Sequence, residues 1–167
     1  FPHTMGIPPT SVVFSGAGAA GIAVETAAGY LQISEVAHLL FACPYFAFSE
    51  RKRASRNRKY YPVDNGLRRV AVTPTGRDRG KALECATFVE LRRRFREVYY
   101  WRQRGEVDFV VRDGKRMIPV QVSWTGPSER HEEALTEFYE TFPQADEPVF
   151  VTAESFEDVF VAGSGRF

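Results

Sequence analysis

Apolar positions recur along this chain with two periods, and the second half carries them more cleanly. From Gly80 to Phe95 the residues Phe88, Leu91 and Phe95 share one arc of a helix, with Thr87, Glu90, Arg93 and Arg94 on the solvated side. The run EVYYW at 97–101 reads as a strand. GEVDFVVRDGKRMIPVQVSW, Gly105 to Trp124, alternates polar and apolar residues around Asp113-Gly114 and predicts a β-hairpin. A helix from about Pro127 to Phe142 and a strand in PVFVT at 148–152 complete an α-β-β-β-α-β order, to which FEDVFV adds an edge strand.

The first half is weaker. Residues 1–15, with Pro2, Pro8 and Pro9, read as a leader. Residues 16–58 outline a winged-helix-like segment: a short helix, a Gly-containing turn, a second helix starting near Val24, and two wing strands in HLLFACPYFAF broken at Cys43-Pro44. The basic stretch SERKRASRNRK follows as a polar connection. Residues 59–167 then form an α/β domain that begins with the short strand in KYYPVDNGL and a turn at Asp64-Asn65-Gly66.

A two-residue turn at Asp113-Gly114 sets Glu106 opposite Gln121 and Asp108 opposite Pro119. Glu106, Asp108, Pro119, Gln121 and Ser123 then share a polar face, and Val107, Phe109, Ile118, Val120 and Val122 an apolar one. Glu84 falls inside the apolar arc of the preceding helix, whereas Glu90 can pair with Arg94 one turn on. A carboxylate on a buried stripe is costly unless it meets a cation, a metal or donors. Glu84, Asp108 and Gln121 are therefore the candidate site on spacing alone.

Composition narrows the options little. The 22 Lys and Arg against 21 Asp and Glu give a net charge of +1, so any nucleic-acid function must come from clustered cations. Cys43 and Cys85 lack the spacing of a zinc site or disulfide framework, which suits a reduced cytoplasmic setting. No apolar run reaches membrane-spanning length, so no membrane role is expected. A chain that starts at Phe1 reads as cut from a longer polypeptide.

The words GYLQISEVAHLLF, RKYYPVDNGLRR, GKALECATFVELRRR, EVYYWRQRGEVDFVV and IPVQVSW resemble, in consistent order, the uncharacterised C-terminal domain of prokaryotic AAA-type ATPases, within the PD-(D/E)xK nuclease-like superfamily. The resemblance implies a restriction-endonuclease-like domain behind a winged helix and an upstream ATPase module. That module's phosphate-loop motif is missing from this sequence, so ATP would bind outside it. Carried over, Glu84 matches the helix acid, Asp108 the hairpin acid and Gln121 the acid-or-amide position, with Mg²⁺ implied at Glu84 and Asp108. Ser123 stands where the pattern has lysine, and a hydroxyl cannot stabilise charge on phosphorus as an ammonium does. This departure predicts a degenerate site, inactive as a nuclease. The preferred expectation is a nucleic-acid-binding or regulatory domain of the ATPase. The alternatives are a Mg²⁺-dependent nuclease with a displaced lysine, for which Lys81 is the nearest candidate, and a module that docks on its own ATPase.

Arg51, Lys52, Arg53, Arg56, Arg58 and Lys59 form the candidate DNA-contacting run. Trp101 and Trp124 read as core or rim packing, and His38 as a packed residue at a helix end.

Overall fold

A computed structural model describes residues 23–67, 78–160 and 167. The leader at 1–15 and the first of the two helices expected after Gly16 fall outside the described residues. The described elements are α1 (Val24–Val36), β1 (Leu40–Cys43), α2 (Glu50–Ala54), β2 (Lys59–Pro62), α3 (Asp78–Arg94), β3 (Glu97–Arg102), β4 (Glu106–Asp113), β5 (Arg116–Val122), α4 (Glu129–Thr141), β6 (Val149–Val151) and α5 (Phe156–Phe160). The architecture is mixed α/β with two sheets. β1 pairs antiparallel with β2, while β3-β4-β5-β6 form a second sheet in which β6 runs parallel to β5. From α3 to β6 the order is α-β-β-β-α-β, as the hydrophobic pattern predicts.

Both faces of the larger sheet are covered. Val110 and Val111 are neighbours on β4, where successive side chains point to opposite faces, and both are fully buried. On one side Phe88 of α3 stacks between Tyr61 of β2, 4.4 Å away, and Phe109 of β4, 5.6 Å away. On the other, Phe138 of α4 meets Trp101 edge-on at 5.3 Å, and Phe142 closes on both. Each fully buried side chain of this size contributes about 1.5–3 kcal/mol. The segment after β1 protects the outer edge of β3: Phe46 N–H donates to Tyr100 O and Tyr100 N–H to Pro44 O.

Several expectations need correction. β1 pairs with β2 across the basic connection, so HLLFACPYFAF does not close as the two strands of a wing. The basic connection itself contains α2, capped where the Ser49 side chain accepts from Lys52 N–H. FEDVFV holds the short helix α5 rather than a strand, because Thr152 and Ser155 exchange side-chain and backbone hydrogen bonds that open it and Glu157 and Asp158 suit its first turn. α4 begins at Glu129 behind the cap Ser128, so Pro127 stands outside it. Thr87 is fully buried, not solvated. His38 is exposed at φ 54, where it turns the chain out of α1 in the left-handed conformation.

The hairpin register also differs. Asp113 pairs with Arg116 and Val110 with Pro119, so the turn residues are Gly114-Lys115. Gly114, at φ +59, supplies the positive φ at the first central position of the turn. Aspartate is the last paired residue of the strand instead of the first residue of the turn. On the other edge of β4, Tyr99 pairs with Val110 but Trp101 with Val107, so Tyr100 alone opposes both Asp108 and Phe109. This β-bulge breaks the alternation on which the two-face assignment rested.

Among the described residues no helix is long and apolar enough to cross a membrane.

Candidate functional site

The bulge decides where Asp108 points. A regular strand sends neighbours to opposite faces, yet Phe109 packs on Phe88 of α3 while the Asp108 carboxylate feels Glu84 of that same helix. The extra residue in β4 thus turns both side chains towards α3. Beyond the Phe109–Val120 pair, side chains replace the ladder between β4 and β5. Asp108 Oδ2 accepts from Val122 N–H at 2.8 Å, Gln121 Oε1 accepts from Asp108 N–H at 3.3 Å, and Gln121 Nε2 donates to Glu106 O at 3.0 Å.

Four charged side chains meet there. Lys59 Nζ, from β2, donates to Glu106 Oε1 at 2.7 Å and to Glu84 Oε1 at 3.3 Å. Tyr61, two residues along the same strand, donates to that Glu84 oxygen at 2.6 Å. Burial pushes the Asp108 carboxyl up to about 7, with Glu84 adding to the rise and Lys59 and Val122 N–H opposing it. Burial works against the charge on Lys59, but Glu84, Glu106 and Asp108 outweigh it and hold the ammonium above the ordinary lysine range. Tyr61 is held neutral by burial and by Glu84.

This cluster opens into a cleft of about 480 Å³, whose cationic lining is Lys81, Arg102, Arg104 and Arg130. A second cleft of about 380 Å³ lies on the far side of Lys59, with Arg56 and Arg58 in its wall. Arg102 and Glu106 line both. The loop between β3 and β4 forms part of the first cleft and is bound to α4 by Glu137, which accepts from Gly105 N–H at 2.9 Å and from Arg104 N–H and Nε. Those donors hold the Glu137 carboxyl below its usual range, Gly105 N–H foremost. Beneath the loop, a Cβ on Gly105 would lie 2.7 Å from both Cα and Cβ of Ala134.

The structure brings Glu84 and Asp108 together. Gln121 sits beside them, but it is fully buried and its amide bonds to the β4 backbone. Ser123 donates its N–H to Val151 O. Lys81 is exposed on the cleft wall, whereas Lys59 reaches the acids themselves. The basic run divides. Arg51, Lys52 and Arg58 are exposed, Arg53 donates to Tyr99 Oη at 3.1 Å, Arg56 lies 5.2 Å over the Tyr45 ring, and Lys59 joins the acidic cluster. Sequence reasoning missed Lys59, Tyr61 and Glu137 as site-building residues. For the first two a signal was available, since Lys59 and Tyr61 stand two apart on one strand and so share a face.

The implied Mg²⁺ can be weighed against these donors. Glu84, Glu106 and Asp108 offer three carboxylates against one ammonium, and the Asp108 carboxyl is raised first by its burial and then by Glu84. Hard oxygen donors with unbalanced charge suit Mg²⁺ chemically. Among the described residues, no three His, Cys, Asp or Glu side chains stand ready around a common point.

Residues 79–163 match the family described as a domain of unknown function, DUF4143. A protein of Haemophilus influenzae (strain ATCC 51907 / DSM 11121 / KW20 / Rd), titled "Uncharacterized protein", is 33% identical over 109 residues, which cover 65% of this chain and 27% of that protein. The chain thus spans little more than a quarter of this curated relative's length. No solved structure matches it.

Proposed function

Since this chain belongs to the DUF4143 family, we propose that it is a nucleic-acid-binding domain whose cleft takes a phosphodiester backbone. The observation that carries this reading is that two clefts meet at Arg102, with Arg56 and Arg58 in the wall of one and Lys81, Arg104 and Arg130 in the wall of the other, around the acids Glu84, Glu106 and Asp108. Such a band can follow successive phosphates although the whole chain is almost neutral. The nuclease-like scaffold implied by the sequence resemblance is supported by the α-β-β-β-α-β order and by an acid on the helix facing an acid on the hairpin. An upstream ATPase module as its partner is consistent with a relative nearly four times as long as the matched segment. The test is fluorescence anisotropy with labelled DNA at several salt concentrations. Replacing Lys81, Arg102 and Arg130 together by Ala weakens binding more than replacing Arg51, Lys52 and Arg53. Absence of binding even at low salt would sink this reading in favour of a protein-docking module.

A second reading rests on Lys59. The ammonium missing at Ser123 is supplied from β2, against Glu84 and Glu106. In this reading Glu84 and Asp108 hold Mg²⁺, which supplies Lewis acidity when bound. Lys59 offsets charge on the phosphate, and Tyr61 fixes the Glu84 carboxylate in place. Incubation with single-stranded, duplex and branched DNA plus Mg²⁺ or Mn²⁺ decides it. Cleavage lost in both Lys59→Met and Asp108→Ala supports hydrolysis, and no cleavage by the unaltered protein refutes it.

A further inference from the structure

The two tryptophans have opposite surroundings. Trp101 is 1% exposed in the core, but Trp124 keeps 43% of its surface in water. Leaving an indole in water forfeits burial worth more than that of most side chains, so its position matters. Trp124 stands two residues beyond Val122 at the end of β5, and Val122 lines the cleft. Arg79, one residue before the cleft-lining Gly80 on α3, places its guanidinium 5.8 Å from the indole centroid. The backbone beneath is anchored, because Ser123 N–H donates to Val151 O at 3.0 Å. Just after it, Gly126 turns the chain at φ +117, a conformation that side chains rarely adopt. An indole held by its backbone and backed by an arginine, two residues beyond Val122 of a cleft that Lys81 and Arg130 line together with the acids Glu84, Glu106 and Asp108, has the chemistry of a stacking platform. A phosphate backbone in the cleft passes Lys81 and Arg130, and an unpaired base on it can lie on the indole. Bases in a duplex are already stacked on one another and cannot.

We infer that Trp124, backed by Arg79, stacks on an unpaired base and makes this domain a reader of single-stranded nucleic acid. The inference rests on the reading of the cleft as a phosphodiester groove. The test uses the whole chain with fluorescein-labelled strands of about 12 nucleotides, within the span of such sites, as single-stranded DNA, single-stranded RNA and duplex DNA. Single strands bind more tightly than duplex and quench tryptophan emission. Trp124→Ala costs about 5- to 100-fold in single-strand affinity and leaves duplex affinity unchanged, while Trp124→Phe keeps most single-strand affinity and loses the quenching. A larger loss on RNA than on DNA, or the reverse, identifies which strand the platform serves. Equal, salt-dependent affinity for single strands and duplex, or unchanged single-strand binding by Trp124→Ala, overturns the platform and leaves the groove standing. No binding of any strand at low salt overturns both.

Discussion

Lys59 makes contacts of 2.7 Å and 3.3 Å to carboxylates on two different elements, and it is the residue on which the acidic cluster depends. Its removal leaves Glu84 partly buried with only the Tyr61 hydroxyl, and Glu106 with Arg102 at 3.7 Å. Lys59→Met should destabilise the protein by about 1–3 kcal/mol, and adding Glu84→Gln should recover part of that loss, so a double-mutant cycle in denaturant returns a coupling energy clearly different from zero. Asp108 behaves differently, because its carboxyl is raised from 3.8 to about 7 in the folded chain. Between those values the native state holds a proton that the unfolded state has released, so this residue's contribution to stability falls as pH rises through the window and levels off above it. Asp108→Asn should gain stability relative to the parent at pH 8 and not at pH 3.5, as read by chemical denaturation at each pH. The acids were legible in the sequence because a carboxylate on an apolar stripe or a half-buried strand stands out against its neighbours. Lys59 was masked by the run of cations that it ends, and its two-residue spacing from Tyr61 on one strand was the signal that sets it apart.

At the scale of elements, the order from α3 to β6 was legible because each carries its own hydrophobic period. Register was not legible to the same degree. An Asp-Gly pair can begin a turn or straddle its edge, and pairing with β3 on one side and β5 on the other settles which. FEDVFV misled for a similar reason: its alternation suits a strand, but the Thr152 and Ser155 exchange starts a helix. The loop from β3 to β4 offers a direct check on packing. Gly105→Ala should lower stability by about 1–3 kcal/mol, since the added methyl meets the backbone of Ala134, which cannot swing aside. A lower denaturation midpoint with an unchanged m-value would show that the cost lies in the native packing. A midpoint equal to the parent's would mean that the loop is not pressed on α4.

For the whole molecule, a charge of +1 conceals the distribution of its cations. If Arg56, Arg58, Lys81, Arg102, Arg104 and Arg130 each approach a phosphate, the logarithm of single-strand affinity should fall with the logarithm of salt concentration with a slope of about −4. A slope near zero would show that these cations serve only their ion pairs. This distribution was beyond the reach of sequence reasoning, because the residues come from the β2 approach, α3, the end of β3, the β3–β4 loop and α4, and only folding sets them side by side. The basic run, contiguous in sequence, is by contrast dispersed by folding into exposed, ring-stacked and ion-paired members.

The bulge in β4 has a consequence for how this chain can change. Deleting one residue of the Asp108–Phe109 pair would let Tyr100 face a single partner and make the sheet regular, yet it would carry off either the acid or the ring that seats it against α3. Sheet order and the acidic centre are therefore rival uses of one residue. A variant that lacks Asp108, folds more stably and no longer loses stability as pH rises through that residue's window would expose the rivalry in a single clone.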